Sequence, residues 1–185
     1  MTLLELANMA LARCGAEPIT SLTDENKRAV QANLHIESVL RDLLNETPWS
    51  FAIKRVTLSQ SGTPAYQYIA EYALPTDHIR ILEIDNVPEY RIENGKILCN
   101  HESEIAVKYV CYSNNPTLWT ASFQKVFILK LAEAISYVLV QSNPLQQTIA
   151  QEAERYLRKA RSYNSQEVGL PDSRYPSEYT LGIRL

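Results

Sequence analysis

Asp77-His78, which follows Leu74-Pro75, is the pair in this chain whose side chains best suit proton transfer. An imidazole held by a carboxylate is the usual general base. Neighbouring residues of an extended chain point to opposite faces, however. The pair therefore reads as a strand-entry turn in which a polar side chain caps backbone N–H groups. Other chemistry finds no matching pattern. His35, His78 and His101 lie too far apart in sequence for a local zinc-ligand spacing. The five glycines are isolated from one another, whereas a phosphate-binding loop clusters them. There is no G-x-S-x-G elbow. No catalytic set, metal or cofactor is expected from these residues.

Cys14, Cys99 and Cys111 are too few and too scattered for a disulfide framework. Cys99 and Cys111 read as packed thiols that could meet across strands. Six of the eleven tyrosines lie between Tyr66 and Tyr112. Such aromatics can stack the bases of a single strand, given a basic groove. Here Arg80, Arg91, Lys96 and Lys108 stand among several acids, which favours cross-strand packing or a protein interface. Over the 185 residues, 18 Lys+Arg against 21 Asp+Glu give a net charge of −3, with no global pull towards nucleic acid. No signal peptide, membrane span or polybasic block is read.

The elements that must position these residues follow from apolar spacing. Thr2 and Glu5 have capping-box spacing ahead of a helix, and Gly15 stops it. A second helix is expected to open at Thr23, with Asp24 and Glu25 in its first turn. Ala29, Ala32, Ile36, Leu40, Leu43 and Leu44 give it one apolar face, and Pro48 ends it. Between 51 and 112 the texture turns to short β-rich runs: 52–58, 66–72, 79–87 and 105–112. A hairpin at Asn94-Gly95 joins 90–93 to 96–99. In the second run Tyr66, Tyr68, Ala70 and Tyr72 share one face.

Helical spacing returns after Pro116. Phe123, Val126, Phe127, Leu131 and Ile135 head a helix apolar on most sides, which must be central or must also pack on another subunit. Asn143-Pro144 supplies the cap and first turn of a last, polar helix over 145–167. Residues 169–185 combine Pro171, Pro176 and Gly182 with large apolar side chains, and read as an extended segment that is not merely solvating. The expected fold is α+β. A helical bundle from 1–50 and 115–168 carries an inserted small antiparallel β-sheet over 51–114 and an extended C-terminal tail over 169–185.

Several local patterns, taken in order, resemble a known family. They are Leu11-Ala12-Arg13-Cys14-Gly15, Pro48-Trp49-Ser50-Phe51-Ala52, Tyr72-Ala73-Leu74-Pro75-Thr76-Asp77, the series Pro116, Trp119 and Phe123, and Leu131-Ala132-Glu133-Ala134-Ile135. This series is similar to the head-to-tail adaptors of short-tailed phages, the tail tubular protein A family, over about residues 2–167. The chain departs from the family pattern at Thr47 and at Thr120-Ala121.

The resemblance implies a structural virion protein, assembled in the host cytoplasm, that forms a homo-oligomeric ring of about twelve subunits. Its partners would be the portal protein above and the tail nozzle protein below, with double-stranded DNA passing through the lumen unbound. On that reading Tyr175, Tyr179, Leu181, Ile183 and Leu185 anchor to the portal. Asn94 and Gly95 at the hairpin tip meet the nozzle or a neighbouring subunit. Pro48, Trp49, Phe51, Trp119 and Phe123 pack the bundle-to-sheet junction. Alternatives are another neck protein (a stopper or terminator), a tyrosine-rich nucleic-acid binder, and an enzyme built on Asp77 and His78.

Overall fold

A computed structural model describes residues 1–168. Within them an α+β fold is built from α1 (Leu3–Arg13), α2 (Lys27–Glu46), β1 (Ile53–Leu58), β2 (Ala70–Ala73), β3 (His78–Ile84), β4 (Tyr90–Glu93), β5 (Lys96–Cys99), β6 (Ile105–Cys111), α3 (Ala121–Val140) and α4 (Asn143–Val168). The expected tail over 169–185 lies outside the described residues.

The helices from the two ends of the chain form the bundle. At the start of α1 the Thr2 hydroxyl accepts from the Glu5 amide (3.2 Å), and the Glu5 carboxylate accepts from the Thr2 amide (2.8 Å). Gly15, with φ +71°, follows its end. α2 opens at Lys27 with Asn26 as cap, four residues later than Thr23 implied. The cause is Asp24. Its carboxylate accepts from the amides of Thr20 and Ser21 and from the Thr20 hydroxyl, so it closes a turn and does not face a helix terminus. The Asn26 side chain takes the Ala29 amide at 3.0 Å.

α3 packs against α1, α2 and α4, which covers most of its apolar circumference within one chain. Its exposed apolar side chains, Tyr137, Val138 and Val140, gather at its C-terminal end. Gln141 then turns left-handed at φ 54°. The Ser142 hydroxyl, rather than Asn143, caps α4 by accepting from the Leu145 amide. Ile149, Ala153, Leu157 and Ala160 form the buried stripe of α4.

The inserted region is two antiparallel three-stranded sheets, not one: β1-β6-β3 and β2-β5-β4. They are stacked as layers. Val110 of the first sheet belongs to the core of the bundle, with Ile79 and Leu82 packed against it. Ile105, Val107, Tyr109 and Cys111, on the opposite face of β6, form a second core with Ala70, Tyr72, Ile97 and Cys99 of the second sheet. Val110, between those residues on β6, is buried too, because helices cover the other side of the sheet.

The run 66–72 is strand only from Ala70. Gln67 sits at φ 71°, which breaks the alternation, and Tyr66 is 77% exposed. The Asn94-Gly95 hairpin forms as expected, with Tyr90 opposite Cys99 and Glu93 opposite Lys96.

Candidate functional site

Asp77 and His78 do not form a dyad. The Asp77 carboxylate accepts from Lys54 Nζ (2.6 Å) on β1 and from the Tyr109 hydroxyl (3.1 Å) on β6. Its own carbonyl accepts from the Tyr112 amide (2.6 Å). The side chain was expected to cap backbone amides; it instead ties the entry of β3 to the two neighbouring strands. The His78 imidazole makes no hydrogen bond among the described residues, while its amide closes a turn to the Pro75 carbonyl (3.1 Å).

The Lys54 hydrogen bond holds the Asp77 carboxyl below its ordinary range, against the opposing effect of partial burial. The same bond raises Lys54. Burial first, and the Asp77 carboxylate second, push the Tyr109 phenol up. Burial likewise raises the thiols of Cys14, Cys99 and Cys111. Each group is thus held in the protonation state it has at neutral pH, which suits an anchor. Cys99 and Cys111 stand on different sheets, so no ladder pairs them, although both line the second core. All three thiols are free.

The junction residues do come together. Phe123 lies at the centre of an aromatic cluster, its ring 4.9 Å from Trp49, 4.8 Å from Phe51 and 5.0 Å from Trp119, all edge-on. Trp119 meets Phe127 at 5.0 Å. Both indoles are satisfied. Trp49 donates to the Leu43 carbonyl (2.9 Å), and Trp119 donates to the Ser113 carbonyl (3.1 Å). Local geometry explains the placement. Pro48 ends α2, and a 3-10 turn over Ser50–Ala52 reverses the chain into β1, so Trp49 and Phe51 swing onto α3.

Around Pro48 a polar clamp from α4 completes the joint. Asn164 accepts from the Ser50 amide (2.8 Å) and donates to the Pro48 carbonyl (3.0 Å). Arg161 donates to the Thr47 hydroxyl (2.9 Å) and pairs with Glu46. Ser50 donates through its hydroxyl to Glu167 (2.8 Å). The sequence reading missed this clamp. Its signal was available: Asn164 continues the buried stripe of Ile149, Ala153, Leu157 and Ala160 by one more four-residue step. A polar residue on such a stripe needs partners.

Asn94 (φ 47°) and Gly95 (φ 72°) are exposed at the hairpin tip, apart from the aromatic cluster. Tyr175, Tyr179, Leu181, Ile183 and Leu185 lie outside the described residues. Among the described residues no group of three His, Cys, Asp or Glu is placed to hold a metal ion, and no helix is long and apolar enough to cross a membrane. No protein-family model matches the chain, and no curated protein matches it.

Proposed function

We propose that the chain is a structural head-to-tail adaptor that forms a ring between a phage portal and its tail nozzle. The observation that carries this reading is the joint around Phe123. Residues of the resemblance that are far apart in sequence, Pro48-Trp49-Ser50-Phe51 and Trp119 with Phe123, pack into one interlocked cluster and are clamped by α4. They fix the bundle to the sheets. A two-part body joined in this way suits a scaffold that binds one neighbour at each end. The exposed hairpin tip and the apolar segment 169–185 are candidate contacts for those neighbours. The charge agrees: twelve copies at −3 apiece carry about −36, which would not grip a passing DNA backbone.

Native mass spectrometry of the full chain with the portal protein of the same genome tests the proposal. One copy should join per portal subunit. A variant with Tyr175, Tyr179, Leu181, Ile183 and Leu185 all changed to Ser should fail to join. Equal binding by that variant would remove the tail assignment and leave the adaptor. A full chain that stays monomeric with portal and nozzle alike would remove the adaptor itself. Joining to a tail-tube protein instead would make it a stopper or terminator.

A further inference from the structure

A groove of about 670 Å³ runs between the start of α3 and the last three turns of α4. Its lining is mostly apolar, with Tyr156, Tyr163, Ala121 and Ala160 among its walls. Two ammonium groups border it: Lys125 Nζ lies 5.6 Å from the Tyr156 ring centre, and Lys159 Nζ lies 5.7 Å from that of Tyr163. Neither lysine has a carboxylate partner among the described residues. Glu167, at the rim, is already turned to the Ser50 hydroxyl. Tyr163 remains 46% exposed.

We infer that this groove is the seat of the chain's own residues 169–185, taken up in cis. Three observations select that occupant. α4 ends at Val168, next to Gln166 and Glu167, which themselves line the groove, so the segment starts from its rim. Its 17 residues span up to roughly 56 Å when extended, whereas the eight residues back from Glu167 to Lys159 cover only about 12 Å of helix. Its composition also offers Tyr175, Tyr179 and Leu181 for the apolar walls, and Asp172 and Glu178 for the two lysines, although Arg174 and Arg184 leave the segment's side chains with no net charge. Gly169 and Pro171 are residue types that end a helix and turn the chain.

Tethering makes a modest affinity sufficient. At an effective concentration of about 1 mM, an intrinsic Kd of about 0.1 mM fills the groove about 90% of the time. The docked segment is then stored, and a partner that captures it must compete with the groove. The inference stands on the isolated chain and does not depend on the portal reading.

The test places a benzophenone photo-crosslinking residue at position 163 of the full chain and irradiates a mixture of light and isotopically heavy protein. Tyr163 and Lys159 are exposed and Lys125 is half-buried, and circular dichroism verifies that each variant folds. Cross-links into 169–185 should join light to light and heavy to heavy. They should fall at least tenfold in a Lys125→Glu/Lys159→Glu variant, and again in a Tyr175→Ser/Tyr179→Ser variant whose changes lie outside the described fold. Light-to-heavy cross-links would assign the groove to a second copy and overturn the inference. So would an absence of cross-links into 169–185, or yields indifferent to both variants.

Discussion

Replacing Asp77 by Asn keeps the shape of the side chain and removes the charge that Lys54 and Tyr109 share. The ion pair is partly exposed, with Lys54 at 55%, so the loss should be about 1 kcal/mol and no more. Its pH dependence has a definite sign. The folded pKa of Asp77 is depressed, so its stabilisation is complete above the unfolded value of about 3.9 and is lost as pH falls through the lower folded value. Thermal unfolding from pH 7 down to pH 2 should show the wild type above Asp77→Asn at neutral pH, with the gap closing below about pH 4. A constant gap would mean that the charge is not what Asp77 contributes.

Phe123→Ala is the harsher residue-scale change. It empties the centre of the cluster and should cost about 3–5 kcal/mol in urea unfolding. The chain has two tryptophans, Trp49 and Trp119, and both are buried against this ring, so their emission should shift to the red even in the folded variant.

At the scale of the element, caps decide where helices begin. The structure assigns the start of α2 to Asn26, so Asn26→Ala should cost about 1 kcal/mol, while Thr23→Ala should stay within about 0.5 kcal/mol. The same free-energy comparison by denaturant titration would reverse if the helix opened at Thr23. This case also shows what was legible. Local patterns alone located the four helices and the hairpin, because each rests on contacts between residues near in sequence. Thr23-Asp24-Glu25 looked like a helix start for a local reason, and lost to another local bond, the return of the Asp24 carboxylate to Thr20 and Ser21. The split into two sheets was not legible. It depends on which strands pair over long separations, β6 with β1 and β3 and β5 with β2, and on β6 being covered on both faces. The anchor role of Asp77 was hidden for the same reason: its partners Lys54 and Tyr109 are 23 and 32 residues away.

At the scale of the whole molecule, the tyrosine-rich region separates two readings. A single-strand binder needs exposed rings in register along a basic groove. Here Tyr72 and Tyr109 are buried. The Tyr72 hydroxyl lies 2.5 Å from the His101 carbonyl and 2.7 Å from that of Ser103, pinning the loop before β6. Tyr112 is covered by Arg41 at 4.5 Å, which ties α2 to the first sheet. That leaves Tyr66, Tyr68 and Tyr90, on loops and an edge strand, beside pockets of mixed charge: Glu71, Glu89 and Glu93 line them together with Lys96 and Arg91, and Lys96 is already paired with Glu71. Stacking is worth about 1–3 kcal/mol per base but works with a basic groove, which a lining of mixed charge does not supply. The full chain should therefore show no salt-dependent binding to a fluorescent 20-nucleotide single strand in anisotropy titrations at 50 and 200 mM salt. Affinity that falls steeply between those salts, and that is lost in Tyr66→Ala/Tyr90→Ala, would make the exposed tyrosines a nucleic-acid surface. It would also weaken the adaptor reading, since a ring that binds strands through its subunits would hold the DNA it is meant to pass.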